Sequence, residues 1–236
     1  MAKERLDKLI ASTGRWSRRE VKTLVREGRV LVDGRIAGSA EEKYDAESCR
    51  IAVNGEELLL RRHTYVMLHK PAGVLSATED GRGRTVLDLL TPELRKIGVF
   101  PVGRLDKDTE GLLLLTDELA HALLSPKKHV DKIYYARVSG RLAPEDCAAF
   151  EAGMTLGDGL ECLPAGLEIL AAGETSECLV TLREGKFHQV KRMLAARGKP
   201  VEYLKRLSMG SLRLDDTLAP GEFRLLTAAE EAQLQR

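Results

Sequence analysis

The sequence predicts an α+β protein with a small N-terminal α/β module and a larger domain built on a mixed sheet. Three observations predict this fold: an amphipathic helix at residues 17–27, a hairpin signal at Asp33-Gly34, and short apolar runs that alternate with helical stretches after Tyr65. At 236 residues the chain exceeds the usual domain size of about 100–150 residues. We therefore place the module at residues 1–60, a linker at 61–64 and the larger domain at 65–236.

The helix of the N-terminal module has clear signals at both ends. Ser17 and Glu20 have the spacing of a capping box, and Gly28 ends the helix. Val21, Leu24 and Val25 form an apolar stripe along it. The stripe leaves a set of basic residues facing solvent, which are Arg18, Arg19, Lys22, Arg26 and, beyond the turn, Arg29.

The hairpin follows directly. Val30-Leu31-Val32 and Ile36-Ala37 flank Asp33-Gly34, and such a dipeptide between apolar runs is typical of a two-residue hairpin turn. The module is thus predicted to contain two helices and a hairpin.

The net charge does not by itself indicate a nucleic-acid-binding protein, because 37 Lys and Arg residues face 36 Asp and Glu residues. The distribution is more informative. Residues 1–35 contain ten Lys or Arg and five Asp or Glu, so the basic excess is concentrated in the module. This local excess indicates an RNA partner.

Three segments in order, Arg5-Leu6-Asp7-Lys8, Ser17-Arg18 and Gly28 to Gly34, resemble the S4 RNA-binding domain of ribosomal and RNA-modifying proteins. The resemblance covers the whole module. It implies that the basic residues contact RNA phosphates, which gives salt-dependent affinity with little sequence preference. The residues concerned are Arg5, Arg18, Arg19, Lys22, Arg26 and Arg29.

In the larger domain the apolar runs predict strands and the amphipathic runs predict helices. The predicted strands are Tyr65 to Leu68, Leu112 to Thr116, Tyr134 to Val138, Leu179 to Leu182, and closing strands within Leu204 to Leu226. The predicted helices are Pro144 to Gly153, Phe187 to Arg197 with Gly198 after its end, and a short one from Thr227.

One segment places a carboxylate at a turn before a buried strand. Gly103-Arg104-Leu105-Asp106-Lys107-Asp108-Thr109-Glu110-Gly111 runs into four consecutive leucines, and such a run is typical of a strand covered on both faces. Arg104 and Lys107 would keep Asp106 ionised, as a nucleophile or base requires. Ordinary surface turns also carry such charges, so the spacing alone leaves the role of Asp106 open.

Four segments in order resemble the pseudouridine synthases of the small-subunit rRNA type. They are His69-Lys70-Pro71-Ala72-Gly73-Val74, the Asp106 segment, Lys132-Ile133-Tyr134, and Gly185-Lys186-Phe187-His188-Gln189-Val190-Lys191-Arg192-Met193. The resemblance spans roughly residues 64–227 and implies a central mixed sheet with a cleft across its middle. It also implies that Asp106 is the catalytic aspartate, Tyr134 the active-site tyrosine and Lys191 the basic residue against Asp106.

Further roles follow from this resemblance. Tyr134 would stack on the uracil, and Arg104 would fill the gap left by the displaced uridine or bind its phosphate. In the helix predicted from Phe187 to Arg197, Phe187, Val190 and Leu194 share an apolar face, with Lys191 at its edge. His188 and Gln189 are not assigned to the catalytic set.

The resemblance implies an isomerase that converts a uridine of ribosomal RNA to pseudouridine, in 16S rRNA by preference. The compact end at Arg236 without a basic tail, and the segment Leu218 to Thr227, favour the 16S branch over a 23S rRNA synthase. Asp106 would attack C1′ to form a glycosyl ester or remove the C2′ proton to form a glycal. A noncatalytic RNA-binding ribosome-assembly factor and a hydrolase that releases uracil are the alternatives.

Composition restricts the environment and the partners. The chain has no apolar run near the roughly 18 residues that span a bilayer, and its first residues lack a signal-peptide core, so we expect a cytoplasmic protein without a membrane partner. The four cysteines and five histidines show no metal-ligand spacing, so neither metal nor cofactor is expected. We expect a monomer that acts on rRNA, either free or within a ribosome assembly intermediate.

Overall fold

The computed structural model describes residues 3–46, 48–61, 63–118 and 130–234. These residues form two compact units. The first contains the described residues up to Thr64 together with 90–99 and 116–118, and the second contains the others. The linker predicted at 61–64 thus groups with the first unit, except for Arg62, which lies outside the described residues.

The first unit combines helices with short strands. Its elements are β1 (Glu4–Arg5), α1 (Leu6–Ala11), α2 (Arg18–Arg26), β2 (Val30–Val32), β3 (Arg35–Ile36), β4 (Lys43–Tyr44), β5 (Ile51–Val53), β6 (Glu56–Glu57) and α3 (Pro92–Ile97). The strands β3-β2-β5-β6 form an antiparallel sheet, and β1 pairs with β4. Apolar residues of α1 and α2 pack with this sheet in one core.

Helix α2 has the ends that the sequence predicts. The Ser17 hydroxyl accepts from the backbone N–H of Glu20, and the Glu20 carboxylate accepts from the N–H of Ser17, so the capping box is complete. Val21, Leu24 and Val25 are buried. Asp33 and Gly34 both have positive φ, of 50° and 77°, which is the geometry of the predicted two-residue hairpin turn.

The second unit is built on a nine-stranded sheet. Its path is β13-β14-β10-β15-β9-β7-β17, with β16 on β15 and β8 on β9. The strands are β7 (Tyr65–Lys70), β8 (Phe100–Val102), β9 (Glu110–Thr116), β10 (Lys132–Ser139), β13 (Gly166–Ala171), β14 (Thr175–Leu182), β15 (Val201–Met209), β16 (Leu212–Arg213) and β17 (Phe223–Leu225). Strands β15 and β9 are parallel whereas β10 and β15 are antiparallel, so the prediction of a mixed sheet is confirmed.

The remaining elements surround this sheet. They are a 3₁₀ turn (Val86–Leu89), α4 (Pro144–Ala152), the hairpin β11 (Met154–Thr155) with β12 (Glu161–Cys162), α5 (Gln189–Ala196) and α6 (Ala228–Leu234). Among the described residues no helix is long and apolar enough to cross a membrane.

Strand β9 lies in the interior of the sheet. Leu112 to Leu115 are fully buried, as expected for a strand covered on both faces. Gly111 precedes them with φ 105°, and a Cβ there would lie 2.2 Å from the carbonyl oxygen of Arg206. Only glycine therefore allows β9 and β15 to approach this closely.

The predicted start of the helix at Phe187 is wrong. Helix α5 begins at Gln189, His188 adopts a left-handed conformation with φ 52°, and the Phe187 side chain is 73% exposed. Phe187 therefore does not share the apolar face formed by Val190 and Leu194. A residue in the left-handed conformation cannot be part of a right-handed helix, so the helix begins at Gln189, directly after His188.

Candidate active site

Asp106 lies in the turn between β8 and β9. The N–H of Thr109 donates to the carbonyl oxygen of Asp106 at 3.1 Å, which closes the turn. The Asp106 side chain is 27% exposed, so its carboxylate faces a solvent-accessible pocket while its backbone is anchored by the buried strand.

The ammonium of Lys70 stabilises this turn by hydrogen bonds to its backbone. Lys70 is fully buried at the end of β7, and its Nζ donates to the carbonyl oxygens of Thr109 at 2.8 Å, Pro71 at 3.0 Å and Lys107 at 3.2 Å. Burial lowers the pKa of Lys70 to about 8, although Asp108 and Asp106 oppose this shift. The sequence predicted a strand that ends at Leu68, whereas the strand continues to Lys70.

Three more hydrogen bonds connect the turn to the segment after β7. The Ser76 hydroxyl donates to the carbonyl oxygen of Leu105 at 3.0 Å and accepts from the N–H of Leu105 at 3.1 Å. The N–H of Gly73 donates to the carbonyl oxygen of Lys107 at 2.7 Å. The backbone around Asp106 is thus fixed on both sides of the carboxylate.

Lys191 of α5 provides the cation at Asp106. Its Nζ lies 3.0 Å from Oδ2 of Asp106 and 2.5 Å from Oδ1 of Asp108. Burial opposes the charge of Lys191, but the hydrogen bonds to Asp108 and Asp106 outweigh it and raise its pKa. The hydrogen bond from Lys191 lowers the pKa of Asp108. The ammonium therefore stays protonated beside both carboxylates.

The cations adjacent to Asp106 in sequence do not form its ion pair. Arg104 and Lys107 are exposed, and neither forms an ion pair with Asp106 in the part of the chain that the structure describes. The structure brings Lys191, rather than either of these two cations, into contact with Asp106. Successive residues of a tight turn point in different directions, so closeness in sequence does not bring their side chains together.

His188 was not assigned by sequence reasoning, yet it lies beside Asp106. Its Nε2 is 3.6 Å from Oδ1 of Asp106, and its ring stacks on Phe187 with centroids 3.8 Å apart. The buried Gln189 next to it accepts from the N–H of Lys186 at 3.1 Å and donates to Glu184 at 2.5 Å. These bonds orient the loop, a constraint for which the sequence carries no local signal.

Asp106 and Tyr134 line one pocket, with an empty volume of about 430 Å³ that is open to solvent. Apolar side chains of Leu182, Val190 and Leu204 form part of the wall, and Arg104 lies at the same pocket. Tyr134 is buried on β10, whereas the next residue, Tyr135, packs against Tyr203. Asp106, Arg104 and Tyr134 thus meet at one pocket, and Lys191 adjoins it through Asp106.

The predicted RNA-binding residues of the first unit fall into two groups. Arg5 and Arg18 both hydrogen-bond to Asp7, which is fully buried. Burial raises the pKa of Asp7, but the hydrogen bonds from the two arginines outweigh burial and the pKa is lowered. Arg5 and Arg18 therefore neutralise an internal carboxylate, a function for which the sequence pattern gave no signal.

The remaining basic residues of this set do not contact a buried carboxylate. Lys22 pairs with Glu41 at 3.3 Å, and Arg29 pairs with Glu27 at 2.9 Å. Arg26 donates to the Thr23 hydroxyl. Within the described residues the guanidinium of Arg19 has neither a hydrogen bond nor an ion pair, and Arg19 lines an open groove with Arg29, Trp16, Glu20, Thr23, Leu24 and Glu27.

Among the described residues, no group of three or more His, Cys, Asp or Glu side chains is arranged to hold a metal ion. The chemistry available in the pocket is that of a carboxylate with a lysine partner, a buried tyrosine and a histidine.

Comparison with known proteins gives a consistent assignment. The family model described as RNA pseudouridylate synthase matches residues 64–196, and the model of the S4 domain matches residues 4–48. The fold is therefore that of an enzyme that isomerises uridine in RNA. The chain belongs to the RNA pseudouridylate synthase family, with an S4 domain near its N-terminus.

Individual relatives agree over nearly the whole chain. An RNA pseudouridine synthase of Bacillus subtilis is 49% identical over 229 residues, which cover 96% of each chain. Ribosomal small subunit pseudouridine synthase A of Vibrio cholerae is 39% identical and covers 98% of this chain and 99% of its own. Ribosomal large subunit pseudouridine synthase B of Bacillus subtilis is 38% identical, with 98% and 96% covered.

A solved structure described as a pseudouridylate synthase is similar as well. It has a TM-score of 0.68 and 34% sequence identity, and the match covers 98% of this chain and 99% of that one.

Proposed function

We propose that this protein converts a uridine of ribosomal RNA to pseudouridine, that 16S rRNA is its substrate, and that Asp106 is its catalytic carboxylate. The observation that carries this proposal is the ion pair between Asp106 and Lys191 at a pocket that also contains Tyr134. A carboxylate with a fixed ammonium partner at a pocket suits chemistry at a sugar carbon.

The reaction breaks the N1–C1′ bond of the uridine and joins C5 of the uracil to C1′, with loss of the C5 proton. Asp106 acts on the sugar by one of two routes. It attacks C1′ to give a glycosyl ester, or it removes the C2′ proton to give a glycal. Both routes begin with an ionised carboxylate, which the ammonium of Lys191 favours at 3.0 Å.

Tyr134 and Arg104 handle the nucleotide in this proposal. The ring of Tyr134, buried on β10, offers an apolar face to the detached uracil while it turns. Arg104 is exposed at the same pocket, where its guanidinium would bind the backbone phosphate of the extruded nucleotide.

The first unit supplies affinity for the rRNA, either free or in an assembly intermediate, through the domain of residues 1–60. We assign phosphate contacts to the basic residues of its helices, chiefly Arg19 and Arg26, with Arg5, Arg18, Lys22 and Arg29 as further contacts from their solvent-facing atoms. The enzyme acts as a monomer in the cytoplasm.

A 23S rRNA substrate is the second candidate. The 38% identity to a large-subunit enzyme is close to the 39% identity to a small-subunit enzyme, so overall similarity favours neither subunit.

The decisive experiment is tritium release from uridine labelled at C5, with 16S transcripts, 23S transcripts and 16S-containing assembly intermediates compared. We expect release from a 16S substrate, and we expect the variant Asp106→Asn to lose at least about 1,000-fold in turnover while it still binds RNA. The amide has nearly the same shape as the carboxylate but is neither a nucleophile nor a base.

Release only from 23S rRNA would reassign the substrate. An active Asp106→Asn protein would remove Asp106 from the mechanism, and tight binding without release from any rRNA would favour an assembly factor. Free uracil among the products would indicate a hydrolase.

A further inference from the structure

Phe187 is a large aromatic side chain that faces solvent. It is 73% exposed, and its inner face stacks on His188 with ring centroids 3.8 Å apart and planes inclined by 18°. In the described part of the chain no other ring contact involves Phe187, so its outer face is open. Burying such a face would be favourable, because aromatic surface gains free energy when it leaves water.

The backbone that carries this pair is strained. His188 has φ 52°, a left-handed conformation that is uncommon for a non-glycine residue and persists only where the surrounding structure enforces it. Gln189 enforces it through its bonds to Lys186 and Glu184, and the carbonyl oxygen of His188 accepts from the N–H of Arg192. Such strain at the edge of an active site indicates a functional geometry.

This conformation places the ring of His188 at the pocket. His188 lines the pocket with Asp106, and its Nε2 lies 3.6 Å from the Asp106 carboxylate. Phe187 does not line the pocket but covers the ring of His188. The aromatic pair therefore extends from the catalytic carboxylate outward to solvent.

Basic side chains lie beside His188 at the pocket. Arg104 and Lys186 line the same pocket as His188, with Lys186 also paired to Glu184, while Arg192 of α5 pairs with Asp158. An exposed aromatic face among cations is the arrangement that binds single-stranded nucleic acid, in which cations contact phosphates and rings stack on bases. An aliphatic partner would not use the cations, and an anionic partner without a flat ring would not use the aromatic face.

We propose that Phe187, supported from behind by His188, is the stacking platform for the base of the nucleotide next to the target uridine. The proposal rests on the proposed function and extends it to the neighbouring nucleotide. When the uridine leaves its helix and enters the pocket, the adjacent base loses a stacking partner. The outer face of Phe187 replaces that partner, and because every base has a π-face, the platform adds affinity without selecting sequence.

The test compares Phe187→Ala, Phe187→Trp and Leu170→Ala with the wild type. Leu170 is the matched control, since it is an apolar side chain of the same unit, 48% exposed, and not part of the pocket lining. Tritium release from 16S and 23S transcripts gives kcat and KM, and equilibrium binding of the same transcripts gives Kd independently of turnover.

We expect Phe187→Ala to raise KM and Kd by roughly 5- to 100-fold, the usual range for loss of one base–aromatic stack, with kcat kept within about twofold. Phe187→Trp should restore both values, and Leu170→Ala should behave as the wild type. Rescue by another aromatic ring distinguishes stacking from a merely structural role.

An unchanged KM and Kd in Phe187→Ala, or a Phe187→Trp protein as weak as Phe187→Ala, would overturn the platform. So would a Leu170→Ala effect of the same size. If the wild type modifies neither the transcripts nor 16S-containing assembly intermediates, the proposed function fails, and the Kd values still decide whether the platform exists.

Discussion

At the scale of single residues, Lys70 determines the shape of the Asp106 turn. A fully buried ammonium donates its three hydrogens to the carbonyl oxygens of Pro71, Lys107 and Thr109. Two of these residues, Lys107 and Thr109, follow Asp106 in the same turn. Without the ammonium, these carbonyl groups would be left without their donor inside the protein, which is costly.

We expect Lys70→Met to destabilise the protein by roughly 1–3 kcal/mol at neutral pH and to lower kcat, since the turn loses its donor. Urea unfolding and tritium release measure the two effects. Lys107→Met is the matched control, because Lys107 is exposed in the same turn. Equal stability of Lys70→Met and the wild type would show that the buried ammonium does not hold the turn.

The difference in stability between the wild type and Lys70→Met should depend on pH, with a sign that follows from the pKa of Lys70. The pKa of Lys70 is lowered from 10.5 to about 8 in the folded state, chiefly by burial. Between these values the unfolded chain binds more protons, so the wild type gains stability relative to Lys70→Met as the pH rises from 8 to 10.5, by up to about 3 kcal/mol. A difference that stays constant over this range would contradict the lowered pKa.

At the scale of secondary-structure elements, the parallel contact between β9 and β15 depends on Gly111. Lys205 and Arg206 pair with Glu110 and Gly111, and the backbone of Arg206 occupies the space of a Cβ at position 111. Strand β9 begins directly after the Asp106 turn, so its position in the sheet also determines where the carboxylate lies.

We expect Gly111→Ala to cost at least about 2 kcal/mol, because alanine is strained at φ 105° and its Cβ clashes with backbone. Thermal unfolding measures the loss. Gly157→Ala is the control, since a Cβ there meets nothing within 4 Å. A Gly111→Ala protein as stable as this control would show that the strands can separate at little cost.

At the scale of the whole molecule, RNA affinity combines an active-site domain with an S4 domain whose basic residues are not equivalent. Arg18 pairs with the buried Asp7, while Arg19 has no partner among the described residues. Both are exposed arginines of one helix. Replacing each of them in turn therefore separates the effect of a positive charge on folding from its effect on RNA binding.

We expect Arg19→Ala to weaken rRNA binding and to reduce the slope of log K against log salt by about 0.7–0.9, the value for one phosphate contact, without a change in unfolding temperature. Arg18→Ala should lower the unfolding temperature, since it removes a partner of Asp7. Filter binding over a salt series and thermal unfolding measure these effects. An unchanged salt slope in Arg19→Ala would argue against a phosphate contact there.

The elements defined by local chemistry were predictable from the sequence. The capping box at Ser17, the turn at Asp33-Gly34 and the buried strand from Leu112 to Leu115 depend on residues within one turn or one strand. Their signals are hydrophobic periodicity and turn preference, which act over a few residues. The helix beginning at Gln189 was predicted too early, because the left-handed conformation of His188 is imposed by contacts rather than by its own preference.

The sequence by itself determined the two-part α+β organisation and, through ordered motifs, the family. The resemblance predicted Lys191 against Asp106, but only the tertiary structure decided the other charge contacts: Asp108 at Lys191, Lys70 beneath the turn, and Arg5 with Arg18 around Asp7. Lys191 and Asp108 are 83 residues apart, and Lys70 and Thr109 are 39 apart. A Coulombic contact depends on distance in space and on burial, and neither quantity is encoded in the spacing of residues along the chain.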